Sequence, residues 1–102
     1  MRLKTHIRVA ALLRQAEAAG LFGTVLRRGD PDGGVVLVIT REDGAVALHA
    51  ERDGRFAPRA DALGAPSALS ELIDREAAFD RDLWVVEIEG RGAGALLSAF
   101  EA

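Results

Sequence analysis

Residues 79–89, FDRDLWVVEIE, decide how the rest of the chain is read. Trp84, Val86 and Ile88 alternate with Leu83, Val85, Glu87 and Glu89, the period-two signature of a strand. Trp84 is the only tryptophan. Just upstream, Asp80-Arg81-Asp82 is a turn that leads out of a helix. That helix opens at Pro66-Ser67, with Ser67 as N-cap and Glu71 in the first turn, favourable to the helix dipole. Leu69, Leu72, Ile73 and Ala77 form its buried stripe, and it ends near Phe79. Residues 60–65 are a small-residue loop before it.

Further upstream the pattern is a meander of strands behind a first helix. Over residues 5–19, Thr5, Val9, Leu12, Leu13, Ala16 and Ala19 share one helical face, with Lys4, Arg8 and Gln15 opposite or beside it. Gly20 is a natural stop. Residues 21–28 predict a first strand, weakened by Gly23. Residues 29–34, GDPDGG, are a turn: proline fixes φ, aspartate bonds its own backbone and glycine supplies positive φ. Residues 35–40, VVLVIT, are apolar on both faces and predict a central strand. Residues 41–44 close a hairpin onto 45–51, where Val46, Leu48 and Ala50 share a face. Arg52-Asp53-Gly54 turns into a short strand at 55–57, which Pro58 confines to an edge. After Glu89, residues 90–95 read as flexible and 96–100 as a brief terminal turn that packs back.

The expected order is therefore α-β-β-β-β-α-β in a single α+β domain over 1–102, with residues 90–102 as a short tail. Short turns predict a five-stranded, mainly antiparallel sheet in the order 4-3-2-1-5, with both helices on one face. Val36, Val38, Trp84, Val86 and Ile88 are the expected sheet side of the core, under Leu12, Leu13, Leu72 and Ile73. Three separated segments, RLKTHIRVAALLRQAEAAG, LRRGDPDGGVVLV and FDRDLWVVEIE, together resemble a small bacterial family known only as a domain of unknown function. The resemblance spans nearly the whole chain and implies a complete stand-alone domain. It brings no activity, cofactor or site residue with it.

Composition narrows the function classes. The absence of cysteine excludes disulfides, thiol nucleophiles and thiolate metal sites. The first 20 residues, MRLKTHIRVAALLRQAEAAG, have the composition of a transit peptide, but their helical period reads as the first helix of the domain. No apolar run is long enough to span a bilayer, so the chain is expected in the cytoplasm with no membrane partner. Residues 1–28 carry net +5 and the remainder net −8. The overall charge of −3 favours a basic element packed beside an acidic one over a nucleic-acid surface. Lys4, Arg8 and Gln15, with Arg2, are the basic stripe such a surface would use. The opening helix and three strands resemble double-stranded-RNA-binding modules. The second helix, with Glu71, Asp74 and Glu76 against Arg75, argues against that use.

Candidate chemistry is sparse. RGDPDGG with Arg27 and Arg28 nearby could cradle a phosphate, but a phosphate loop leads into a helix and this one joins two strands. Asp30-x-Asp32-Gly33 lacks the later ligands of a calcium loop. His6 and His49 have no metal-ligand spacing, so no metal or cofactor is expected. Glu87 and Glu89 share a strand face and could do acid–base work with His49, whose ordinary pKa is near neutrality. Arg8, Arg27 and Arg28 are the candidate binding residues. The reading these features favour is a non-enzymatic binding or interaction module, with a His49–Glu87/Glu89 enzyme and a weak nucleic-acid binder as alternatives. With both helices on one face, the other would expose a contiguous apolar patch, which predicts a two-fold homodimer through that helix-free face, with a closed or strongly curled sheet as the alternative that needs no partner.

Overall fold

The computed structural model describes residues 3–52, 54–59 and 66–100. The elements are α1 (Thr5–Ala18), β1 (Phe22–Arg27), β2 (Val36–Glu42), β3 (Ala45–Arg52), β4 (Arg55–Pro58), α2 (Pro66–Phe79), β5 (Trp84–Glu89) and α3 (Ala93–Ala99). The expected α+β class and the order of its seven elements hold, with α3 added. The loop expected at 60–65, the turn residue Asp53 and the capping side chain of Ser67 lie outside the described residues.

The strands form one sheet in the order β1-β5-β2-β3-β4, which corrects the expected order. β5 does not lie outside β1. It sits between β1 and β2, antiparallel to the first and parallel to the second, so the sheet is mixed. The cause is burial: Trp84, Val85, Val86 and Ile88 are all buried, and a strand apolar on both faces belongs in the interior of a sheet. β1 is exposed along nearly its whole length and suits an edge. The GDPDGG segment is accordingly not a hairpin turn but a step across the start of β5. Asp30 N donates to Asp82 O (3.1 Å), Trp84 N donates to Val35 O (2.9 Å), and Trp84 Nε1 donates to Asp30 O (2.7 Å). Gly34 has φ +92° and lies so close to the Asp82 carbonyl that any side chain there would collide with it.

The helices lie on opposite faces, a second correction. α1 (through Val9, Leu12 and Ala16) and α3 (through Ala93 and Leu97, with Phe100 following) pack on Val36, Val38, Trp84, Val86 and Ile88. α2 covers the other face, with Leu69 buried on Leu37, Ile39, Leu48 and Val85, and with Leu72, Ile73 and Ala77 at the margin. Leu72 and Ile73 thus belong to a different core from Leu12 and Leu13. A sheet whose central strands are apolar on both sides has two faces to remove from water, and burying only one would leave the other costly. No helix-free face remains, so the expected dimer through it has no such surface to use. The third correction is at the C-terminus: residues 93–99 are helical, and Leu97 is fully buried. No helix among the described residues is long and apolar enough to cross a membrane.

Candidate functional site

The two-layer cover leaves a cleft of about 390 Å3 between α2 and the β1–β5–β2 part of the sheet. Its sheet wall follows from strand period. Ile39 and Arg41 alternate out of β2 toward α2, and Val85 and Glu87 do so from β5. β1 adds Leu26 and Arg27, which both face the cleft because a bulge between Val25 and Arg27 interrupts the alternation. α2 supplies Leu69, Ile73 and Ala77 as the apolar roof, with Ser70 and Asp74 beside them.

Besides the exposed Ser70 and Asp74, the cleft holds three charged side chains among the described residues, each with a partner. Arg41 Nε donates to Glu87 Oε1 at 2.9 Å, with the two side chains 36% and 22% exposed. This pair neutralises a carboxylate that would otherwise sit uncompensated in an apolar strand. Arg27 Nη2 donates to the carbonyl of Arg81 at 3.3 Å. Arg27 Nε is buried and has no hydrogen-bond partner among the described residues. A wall of apolar side chains with one pinned ion pair and one guanidinium with donor capacity to spare is the composition of a small-molecule site.

The acid–base candidates are not brought together. His49 lies opposite Val38 in the β2–β3 ladder and so faces α1 and α3, whereas Glu87 faces the α2 cleft and Glu89 shares its side of β5. The sheet separates them. His49 is buried, and its Nε2 shares a 3.1 Å hydrogen bond with Thr40 Oγ1. Burial pushes its pKa below the ordinary value, against a weaker upward pull from the Glu42 carboxylate. Glu42 Oε1 is itself engaged, accepting from Gly94 N at 2.8 Å at the start of α3. Glu89 is exposed at the end of β5.

The basic N-terminal residues do not form a continuous stripe. Arg8 is turned inward and ion-pairs with Glu51 of β3, both side chains 7% exposed. Lys4 pairs with Asp32 at 3.4 Å on the surface. The Arg28 guanidinium lies 5.5 Å from the centroid of the Trp84 ring. Gln15 is exposed, and Arg2 lies outside the described residues. Asp80 and Asp82 form the expected turn, Asp82 N donating to Asp80 Oδ1 at 3.0 Å. His6 Nδ1 donates to the Pro31 carbonyl at 2.8 Å, tying α1 to the GDPDGG segment.

Of the residues singled out from the sequence, Arg27 and Glu87 line the cleft. Arg41, Asp74 and Leu26 were not anticipated there. The signal for Arg41 was available: it continues the Leu37, Ile39 alternation, and Glu87 interrupts a run of buried residues in β5. A charge inside a strand that is apolar on both faces calls for an opposite charge on a neighbouring strand.

The chain matches over residues 3–98 the model of a family described as a protein of unknown function, DUF1491. Among solved structures it is similar to a DUF1491 family protein from Caulobacter crescentus CB15, seen by crystallography. The two are 39% identical, with 96% of each chain covered and a TM-score of 0.82. An NMR structure of a DUF1491 family protein from the same organism gives 38% identity, 96% and 94% coverage, and a TM-score of 0.80. The solution structure of protein Atu0922 from A. tumefaciens is 34% identical, with 100% and 98% covered and a TM-score of 0.80. None of the curated proteins compared matches the chain.

Proposed function

The chain belongs to the DUF1491 family, whose function is unknown, and we propose that it is a non-enzymatic binding module whose site is the cleft under α2. The ligand class is a small amphipathic molecule with a short apolar body and a carboxylate head. The observation that carries this reading is Arg27: its side chain lines the cleft, and its buried Nε has no hydrogen-bond partner among the described residues. A buried donor without a partner costs on the order of 1–3 kcal/mol, which an accepting ligand oxygen would relieve. Leu26, Ile39 and Ile73 give the apolar body a wall. Binding is favoured over catalysis because His49 and the carboxylates Glu87 and Glu89 occupy opposite faces of the sheet. Binding is favoured over nucleic-acid contact because Arg8, central to the basic stripe, is spent on Glu51.

Octanoate is a suitable probe. Titrated into isotope-labelled protein, it should shift the NMR signals of Leu26, Ile39, Ile73 and Val85 saturably. Arg27→Gln should weaken binding at least about tenfold, the effect of losing one charge-assisted hydrogen bond of roughly 1.5–3 kcal/mol. Shifts confined to other parts of the chain, or an Arg27→Gln variant that binds octanoate unchanged, would remove the cleft as the site.

A further inference from the structure

β1 and β4 are the two edges of the sheet, and they are built differently. β4 is four residues long, carries Arg55 and ends on Pro58, features that discourage a further strand from adding there. β1 has six residues, no proline and no charge before Arg27. Among the described residues its only strand partner is β5, so one row of its backbone groups faces outward. Phe22, Val25 and Leu26 stand 69%, 38% and 52% exposed on it.

The side chains of β1 are self-complementary about Thr24. Phe22 and Thr24 lie opposite Glu89 and Glu87 on the α2 side of the sheet, and Leu26 lines the α2 cleft. Gly23 and Val25 point the other way, Gly23 directly beneath Leu13 of α1. Opposed residues of antiparallel strands share a face, so an antiparallel pairing of β1 with its own copy must keep this alternation in register. A two-fold axis at Thr24 does so. It sets Thr24 against Thr24, each Phe22 against Leu26 of the other copy, and each Val25 against Gly23. The two largest exposed side chains of the strand cover one another twice, and each Val25 lies across from a residue without a side chain, whose outer face Leu13 of α1 already covers. No charge is buried in the seam.

We propose that β1 is a self-association edge, through which two copies of this chain pair antiparallel about Thr24 into one continuous sheet. Phe22 of the second copy then stands beside Leu26 at the mouth of the cleft, so each copy extends the other's cleft wall. The pairing holds whatever the cleft binds. A seam one short strand wide buries less than the roughly 1,600 Å2 of a standard interface, so the dimer is concentration-dependent.

The chain has no cysteine, which makes thiol cross-linking a direct test. In Thr24→Cys the two thiols face each other across the axis with Cα atoms about 4.5–5.5 Å apart, within disulfide range. In Phe22→Cys they are about 13 Å apart along the strands and cannot bridge. Mild oxidation should give covalent dimer at least about tenfold faster from Thr24→Cys than from Phe22→Cys. In sedimentation, the wild-type mass should rise with concentration from 10.8 kDa toward twice that value, while Phe22→Lys, a change at an exposed position, stays at the monomer mass with its melting curve intact. A wild type that remains monomeric at ~0.5 mM, a dimer untouched by Phe22→Lys, or equal cross-linking of the two cysteine variants would each overturn the proposal.

Discussion

The ion pair between Arg8 and Glu51 gives the sharpest test of how α1 is held on the sheet. Both side chains are only 7% exposed, beneath a helix whose other buried residues are Thr5, Val9, Leu12 and Ala16. Arg8→Met keeps the length and most of the packing of the arginine stem but strands the Glu51 carboxylate in the interior. Removing one partner of a buried pair costs about 3–5 kcal/mol, because the remaining charge keeps its desolvation penalty and loses its compensation. For a domain of this size each kcal/mol lowers the melting temperature by about 4–8 °C, so Arg8→Met should melt at least ~12 °C below the wild type. Against a total stability of roughly 5–15 kcal/mol, such a loss is a large fraction of the whole. Arg8→Met combined with Glu51→Leu removes both charges and fills the space with apolar atoms. That exchange is often neutral or stabilising by about 1–4 kcal/mol. Urea denaturation of the wild type, the two single variants and the double variant measures the coupling directly. The double variant should recover most of the stability that Arg8→Met loses. If Arg8→Met costs less than about 1 kcal/mol, or the two single effects simply add in the double variant, the pair is not the buried, mutually dependent contact described above.

Two further outcomes follow from the cores and from His49. Leu97→Ala, at a fully buried position of α3, should cost about 2–5 kcal/mol in urea melts, whereas Ile73→Ala, half-buried at the cleft, should cost less than about 2 kcal/mol; equal costs would mean that α2 packs as tightly as α3. The folded protein holds the pKa of His49 below its ordinary value, so the unfolded chain binds the proton more readily and stability should fall as pH drops from about 6.5 toward the lowered folded pKa. From about one unit above pH 6.5 His49 contributes little pH dependence, since it is then almost wholly neutral in both states. His49→Gln should flatten this dependence in urea midpoints measured from pH 7.5 to 5.5, and an NMR titration that finds His49 at or above its ordinary pKa would refute it.

Much of the fold was legible because local chemistry and tertiary structure agree. Of the expected α1 stripe Thr5, Val9, Leu12 and Ala16 are buried, while Leu13 is half-buried and Ala19 exposed, and the helix gives way to Gly20 at φ +79°. The β2–β3 hairpin turns at Asp43-Gly44, both with positive φ, as its sequence requires. What local pattern could not supply was the place of β5. A strand that pairs parallel to one neighbour and antiparallel to another is fixed by contacts between distant segments, and periodicity carries no information about them. Burial did carry some. VVLVIT and LWVVEI are each apolar on both faces, while β1 contains Gly23 and Thr24; two doubly apolar strands lower each other's exposure most by lying side by side. The same reasoning demands cover on both faces and would have moved α2 away from α1.

The site was less legible than the fold, for a physical reason. Nothing in β1, β2, β5 or α2 carries a motif, because the cleft is made by the gap between elements rather than by a spacing along one of them. Leu26 and Arg27 reach it only because of the bulge after Val25, and a bulge is set by the pairing of β1 with β5. Glu87 is the exception. In a strand where Trp84, Val85, Val86 and Ile88 are all buried, its carboxylate is out of pattern. A position that breaks an otherwise consistent strand is where a partner charge, a site or both should be sought. Its partner is Arg41, and its neighbourhood is the cleft. His49 breaks the pattern of β3 in the same way, yet its environment answers it: Thr40 hydrogen-bonds its Nε2 and the α1–α3 layer buries it. The two cases differ in what surrounds the polar group, since a satisfied group under a closed layer has nothing left to offer a ligand, whereas the Arg41–Glu87 pair stands in an open cleft beside the spare donor of Arg27.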